Sequence, residues 1–163
     1  MFSRRRSIRK YMGKKVEDVK IKNILFAGMC APSAGGNRPW IFHLVKNTEK
    51  LDMLSKAHPY ASMVKSAPVC IVVSYDTQKI RYKDWFVQDL SACTENILLA
   101  IENEGLGGVW LGCYPRMERV EGIRRVLDIK ERYIPFSMIP FGYKAESKEE
   151  YEKFDKEVVH YVE

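Results

Sequence analysis

The residues near the start of the chain that could do chemistry are mostly arginines. One short segment contains Arg4, Arg5, Arg6, Ser7, Arg9 and Tyr11. Planar guanidinium groups bind phosphate oxygens through paired hydrogen bonds, so this segment could hold a phosphate monoester. A solvated basic arm is the alternative, because runs of charge at a chain terminus are usually disordered.

A second segment, residues 31–40, reads APSAGGNRPW. Its small residues would let the backbone approach a flat ligand closely. Asn37 and Arg38 add hydrogen-bond donors for carbonyl or ring-nitrogen acceptors. An ordinary turn between a helix and a strand explains the same residues equally well.

A third segment, residues 104–112, contains Gly105, Gly107, Gly108 and Gly112. Glycine-rich backbone can present its N–H groups to a cofactor. A helix C-cap accounts for Gly105 but leaves the other three glycines less well explained.

The elements that must position these segments follow from the spacing of apolar and β-branched residues. This spacing predicts helices at 16–29, 84–104 and 118–127, and strands at 40–45, 69–75, 109–112, 137–143 and 158–162. Residues 48–63 favour a helix that is interrupted at Pro59, and Pro140 is expected to interrupt its strand. The helix at 84–104 has a broad apolar face.

The connections after residue 105 are too short for regular βαβ crossovers. We therefore predict an α+β fold, a three-layer α-β-α sandwich with a mixed, mainly antiparallel sheet. A length of 163 residues with 46% hydrophobic content predicts a single domain over 1–163. No apolar stretch is long enough to span a membrane, and no secretory signal is recognisable, so a cytoplasmic protein is expected.

The formal net charge of +6 is concentrated near the N-terminus. This distribution fits binding of one small phosphate as well as binding of a nucleic acid, but no RNA- or DNA-binding motif accompanies it. The cysteines, Cys30, Cys70, Cys93 and Cys113, have apolar neighbours and are expected to be buried, reduced thiols. Neither cysteines nor histidines show metal-ligand spacing, so no metal site is expected.

Taken together and in order, these segments resemble the FMN-dependent nitroreductase family. The matching stretches are 5–11, 31–40, 89–112, 139–143 and 158–161, which cover nearly the whole chain. The resemblance implies a homodimer with FMN in a cleft between the subunits. It also implies a ping-pong reaction that takes electrons from NADH or NADPH to a small acceptor such as a nitroaromatic, a quinone or a flavin. The flavin itself would carry the hydride, so no catalytic side chain is needed.

The resemblance also assigns roles to residues. Arg5, Arg6, Ser7 and Arg9 would hold the FMN phosphate and ribityl chain, with Lys153 as a further phosphate ligand. The backbone of Pro32, Ser33 and Ala34 would support the isoalloxazine ring of the other subunit's flavin. Gly107 and Gly108 would lie close to flavin N5, and Arg38 is a candidate for the charge near N1.

Asn37 stands one place later than the family's usual asparagine, so either the loop shifts to let it reach the flavin or that contact is missing. Asp89, Glu95 and Asn96 are interpreted as buried polar anchors on the long helix. The dimer would bury the apolar face of 84–104 between subunits, and 158–162 could add a strand to the partner's sheet.

Three other functions remain open. The chain could be a flavin-binding or sensory module without turnover, or a nucleic-acid-binding domain that uses its basic N-terminus. A dehalogenase or a flavin-fragmenting enzyme on the same scaffold is the third possibility.

Overall fold

A computed structural model of the chain describes residues 2–79, 81–151 and 154–162. Its sheet contains β1 (Trp40–Val45), β2 (Val69–Asp76), β3 (Gly107–Gly108), β4 (Leu111–Gly112) and β5 (Tyr133–Gly142). The strand order is β1-β2-β5-β3, and β4 also pairs with β5. All pairs between these strands are antiparallel. An isolated bridge between Ser7 and Gly108 is parallel, which makes the sheet mixed.

Helices cover both faces of the sheet, as the three-layer prediction requires. They are α1 (Asp18–Met29), α2 (Thr48–Lys56), α3 (Phe86–Asn103) and α4 (Met117–Leu127). Alternate residues of β2 point to opposite sides, so Ile71 joins a core with α1 and α3 while Val72 joins a second core with α2 and α4. The predicted α+β sandwich is confirmed.

Helices α1 and α3 pack closely because a glycine lies at their contact. A Cβ atom at Gly28 would come within 2.8 Å of Ile97 Cγ1. Asn96 Nδ2 donates to the Ala27 carbonyl at 3.1 Å, and Lys20 Nζ donates to the Glu104 carbonyl at 2.6 Å. This contact fixes α3 against α1, and α3 in turn contacts the N-terminal segment and the loop at residues 31–38.

Strand β5 is longer than predicted and is not interrupted at Pro140. The Pro140 carbonyl accepts from the Val109 N–H at 3.3 Å and from the Tyr11 hydroxyl at 3.1 Å. Proline removes only its own N–H from the ladder, so the strand continues through it.

Three further expectations are wrong. The apolar face of α3 is buried within the subunit's own core rather than between subunits. Residues 158–162 form no strand in the subunit, since Lys156–Val158 is a 3-10 helix and the residues after it have no neighbouring strand. Cys30 is exposed because it follows the last turn of α1, whereas the other three cysteines are buried. Burial raises the pKa of Cys93 and of Cys113 to about 12.

Among the described residues, no helix combines the length and the apolar character needed to cross a bilayer.

Candidate functional site

The basic N-terminal segment is not a free arm, because it is docked along the edge of the sheet. Ile8 N donates to the Gly108 carbonyl at 3.0 Å, and Met12 N donates to the Tyr143 carbonyl at 2.9 Å. The Ile8 side chain is also buried. Main-chain bonds at Ile8 and Met12, together with this buried side chain, therefore hold residues 8–12 in one register.

The glycines of β3 make this docking possible. A Cβ atom at Gly107 would lie 2.7 Å from Ile8 Cγ1 and 2.8 Å from Lys144 Cγ. A Cβ atom at Gly108 would lie 3.1 Å from the Pro140 carbonyl oxygen. Both glycines are buried, so they give the N-terminal segment its place beside the sheet.

An acidic segment, residues 143–151, runs alongside the basic N-terminal segment. Ala145 N donates to the Lys10 carbonyl and Tyr151 N to the Ser3 carbonyl, each at 3.0 Å. The Glu146 carboxylate accepts from the Arg9 N–H at 2.5 Å and from the Lys10 N–H at 3.2 Å. These backbone bonds lower the pKa of Glu146, the Arg9 bond most. This partner of the basic segment could not be predicted, because residues so far apart in the chain give no local signal.

The predicted phosphate ligands differ in how free their side chains are. The Arg5 guanidinium is partly exposed, with Nε 3.4 Å from Glu95, and Arg9 is exposed. Arg6 is turned toward the Glu149 carbonyl, to which it donates a hydrogen bond. Ser7 is half-buried, and Lys148 Nζ donates a hydrogen bond to the Ser7 carbonyl at 2.5 Å. Lys153 lies outside the described residues.

Residues 31–38 form a tight loop between α1 and β1. A 3-10 turn covers Ala34–Gly36, and positive φ angles occur at Gly35 (58°), Gly36 (67°) and Arg38 (47°). Arg38 N donates to Ser33 Oγ at 2.9 Å. Pro32 and Arg38 are exposed, and Ser33, Ala34 and Asn37 are half-buried.

The carboxylate of Asp89, buried on α3, accepts the Ala34 N–H at 2.9 Å. Asp89 therefore anchors the loop to the helix, as its interpretation as a polar anchor implied. Asn96 also anchors, through Ala27. Glu95 does not, because it is partly exposed and pairs with Arg5.

The loop and the N-terminal segment reach α3 at different places. The loop touches Asp89, and Arg5 touches Glu95. Two positions six residues apart on a helix are separated by about 9 Å along its axis, and their side chains point in directions that differ by roughly a third of a turn. Within the described ranges, no hydrogen bond or ion pair joins residues 5–9 to residues 32–38. One subunit thus brings Arg5, Ser7 and Arg9 to Gly107 and Gly108, but not to the loop.

Arg38 lies at the other end of the loop, in a cavity of about 600 Å³. This cavity lies between α1 and β1, and Lys79 and the aromatic side chains Trp40 and Phe42 also line it. Within the described residues, no hydrogen bond joins Asn37 or Arg38 to Gly107 or Gly108, and their flavin contacts stay predictions.

The sequence and the fold are similar to those of known proteins. A sequence model of the nitroreductase family matches residues 2–58 and 48–143. The chain belongs to the nitroreductase family. The prediction drawn from the three segments is therefore confirmed at the level of the family, which is one of oxidoreductases.

Similar proteins match over most of their length. A candidate NADH dehydrogenase/NAD(P)H nitroreductase of Methanothermobacter thermautotrophicus is 49% identical over 156 residues, which cover 96% of this chain and 82% of that one. The crystal structure of a candidate NADH oxidase from Clostridium acetobutylicum is 41% identical, with a TM-score of 0.94 and coverage of 97% and 96%. An FMN-dependent nitroreductase from Clostridium difficile R20291 is 33% identical, with a TM-score of 0.92 and coverage of 99% and 97%.

Proposed function

We propose that this nitroreductase-family protein binds FMN and passes electrons from NADH or NADPH to a small acceptor by a ping-pong reaction. The observation that carries the proposal is the docking of the Arg5–Arg9 segment beside Gly107 and Gly108, which puts phosphate donors next to a glycine-lined edge. The FMN-dependent relative with the same fold supports the choice of cofactor.

The donor set of the segment fits the phosphate of FMN. Arg5 and Arg9 supply guanidinium groups that are at least partly accessible, and Ser7 supplies a hydroxyl between them. Guanidinium groups form strong, charge-assisted hydrogen bonds with phosphate oxygens. Arg6 contributes differently, because its bond to the Glu149 carbonyl holds the acidic segment in place.

Bound FMN would supply the hydride chemistry, accepting a hydride from the nicotinamide and returning two electrons to the acceptor. The protein residues hold and orient the cofactor. Arg5, Ser7 and Arg9 fix the phosphate end, and the backbone of Gly107 and Gly108 beside them would lie close to flavin N5. We infer that Pro32, Ser33 and Ala34 support the ring from a second copy of the chain.

Two features of the surface support a homodimer. An apolar groove of about 410 Å³ lies between α1 and β1 and is lined in part by Ile21, Leu25, Phe26, Met29 and Leu44. In the described part of the chain, β1 pairs with β2 on one edge only. The free edge and the groove together form a surface on which a second copy can bury apolar area.

The C-terminal segment, residues 154–162, is the part of a second copy that fits this surface. Its side chains Phe154, Val158, Tyr161 and Val162 are all exposed in the single subunit. Adding such a segment to a free strand edge would pair its backbone and cover its apolar side chains. This is how 158–162 could form a strand that the isolated subunit lacks.

The absorbance spectrum of the purified protein tests the proposed function. We expect a flavin band near roughly 450 nm that bleaches anaerobically on addition of NADH or NADPH and returns on addition of a quinone. A flavin band that neither nicotinamide bleaches would indicate a binding module without turnover. A protein that is colourless and binds no added FMN would overturn the proposal.

A further inference from the structure

Two cationic side chains share one cavity at the end of the loop at residues 31–38. Arg38 and Lys79 both line the cavity of about 600 Å³ between α1 and β1. The other lining residues are apolar or aromatic, namely Leu25, Met29, Trp40, Ile41 and Phe42. Among the described residues that line it, none carries a carboxylate. The cavity therefore has two positive charges in an otherwise apolar lining.

Neither cation is neutralised by an ion pair within the residues that the structure describes. Asp76, the acidic residue nearest to Lys79 in the chain, is buried and pairs with Arg132 at 3.3 Å. Just beyond the opposite end of β1, by contrast, Lys46 pairs with Asp18 at 2.5 Å. Because its own cations lack such a partner, the cavity favours an anionic ligand.

The main chain near both cations is held by hydrogen bonds. Arg38 has a φ of 47°, which is unfavourable for a residue other than glycine, and its N–H donates to Ser33 Oγ at 2.9 Å. The Asp76 N–H donates to the Pro39 carbonyl at 2.9 Å, and the Gln78 N–H donates to the Asp76 carboxylate at 3.0 Å. These bonds join the end of β2 to the start of β1, so the fold fixes the backbone that carries both cations.

A ligand that suits this cavity combines an apolar part with an anionic group. Small-molecule sites are typically apolar, with a few polar groups that fix the orientation of the ligand. Guanidinium and ammonium groups both bind phosphate oxygens. The adenosine 2′-phosphate end of NADPH has this composition, since a flat base lies next to a phosphate with close to two negative charges. NADH has a hydroxyl group in place of this phosphate.

We propose that Arg38 and Lys79 bind the 2′-phosphate of NADPH and make NADPH the preferred electron donor over NADH. This assignment rests on the proposed function, which leaves the choice between the two nucleotides open. Arg38 ends the loop that is proposed to support the flavin ring, so the cavity adjoins the surface where the nicotinamide would react. In this assignment Arg38 contacts the electron donor rather than flavin N1.

Binding of adenosine 2′,5′-bisphosphate tests the assignment without electron transfer. Calorimetry on the protein as purified compares its dissociation constant with that of adenosine 5′-monophosphate, which lacks the 2′-phosphate. We expect the bisphosphate to bind roughly thirtyfold more tightly to the wild type, because two charge-assisted contacts are added. Lys79→Ala should reduce this difference to roughly fivefold, and Lys79→Arg should keep it. Lys22→Ala removes an exposed positive charge of α1 outside the cavity and should leave the difference unchanged.

Steady-state kinetics with a quinone acceptor gives the second readout. The ratio of kcat/KM for NADPH to kcat/KM for NADH should fall roughly fivefold in Lys79→Ala and stay at the wild-type value in Lys22→Ala. Equal affinities of the wild type for the two adenosine nucleotides would overturn the assignment. The same ratio in Lys79→Ala and Lys22→Ala would also overturn it.

Light scattering separates a nucleotide site from a contact between subunits. We expect Lys79→Ala and Lys22→Ala to have the same oligomeric state as the wild type. If Lys79→Ala alone were monomeric, the cavity would belong to an interface with a second copy, and the assignment to NADPH would be wrong. Failure of the proposed function shows separately, as a wild-type protein that neither NADH nor NADPH bleaches.

Discussion

The N-terminal segment and the loop at residues 31–38 are both expected to contact the cofactor, yet the subunit holds them differently. The segment has main-chain bonds at Ile8 and Met12, and Ile8 is buried in the sheet edge. The loop has one carboxylate anchor, Asp89, and a bond between its own residues Arg38 and Ser33. It also carries three positive φ angles.

This difference indicates that the two contacts are assembled at different stages. The segment is preorganised when the subunit folds, so phosphate binding requires little further ordering. Within the described residues, no hydrogen bond joins the loop to Gly107 or Gly108. Under the proposed function the loop would complete a site on a second copy, so changes in the two regions should have separable effects.

The largest effect is expected from the double change Arg5→Ala and Arg9→Ala. Loss of about 1.5 to 3 kcal/mol for each charge-assisted contact should weaken FMN binding by about 3 to 6 kcal/mol. Fluorescence titration of the apoprotein with FMN measures this. Lys15→Ala removes an exposed positive charge nearby and serves as the control. Unchanged FMN affinity in the double variant would remove both arginines from the site.

Gly107→Ala tests the docking of the segment. The added Cβ would overlap Ile8, so we expect the free energy of unfolding to fall by about 1 to 3 kcal/mol and FMN affinity to fall with it. Gly112→Ala is the matched control, because a Cβ atom there meets nothing within 4 Å. Urea denaturation and FMN titration measure the two effects. If both variants behaved alike, the segment would not depend on the glycine contact.

Asp89→Ala tests the anchor of the loop. The Ala34 N–H loses its carboxylate acceptor, and stability should fall by about 1 to 2 kcal/mol. Asp84→Ala removes an exposed carboxylate that precedes the same helix and should change stability little. Limited proteolysis should cut residues 31–38 faster in Asp89→Ala alone. Equal cleavage rates would show that Asp89 does not hold the loop.

His58 lies far from both segments along the chain and gives a reference for general stability. Its Nε2 lies 2.9 Å from the Gly112 carbonyl, and its Nδ1 accepts the Tyr60 N–H at 3.1 Å. Burial lowers the pKa of His58. As the pH falls, the unfolded chain therefore takes up a proton at His58 before the folded chain does. The contribution of neutral His58 to the stability of the fold is complete above about pH 6.5 and is lost as the pH falls through the lower pKa of the folded state.

Between pH 7 and pH 5 the wild type should lose more stability than His58→Gln does. Urea denaturation at the two pH values measures the difference. His43, whose pKa burial also lowers, contributes equally to both proteins and cancels. A wild type and a variant with the same pH dependence would contradict the bonding assigned to His58.

Local patterns predicted much of the fold. The aromatic and β-branched run at 40–45 predicted β1 to the residue, and apolar spacing located α3 within two residues at its start and one at its end. The part that could not be predicted depends on contacts between distant residues. No local signal shows that Gly107 makes room for Ile8, or that Glu146 binds the backbone of Arg9.

Some errors share this cause. Residues 158–162 alternate like a strand, but a strand needs a neighbour, and in the described subunit no strand lies beside them. The order of the three segments was informative for a different reason. Each segment alone has an ordinary structural explanation, and only their combination identified the family.

Mixed dimers test most directly whether the site is built from two copies. Arg5→Ala with Arg9→Ala disables the segment, and Ala34→Trp blocks the loop, so neither variant alone should retain FMN. When the two are unfolded and refolded together, about half of the dimers should be mixed, and each mixed dimer has one intact site. The flavin content should therefore recover to about a quarter of the wild-type value per subunit. No recovery in captured mixed dimers, or full FMN retention by Ala34→Trp alone, would contradict a site shared between two copies.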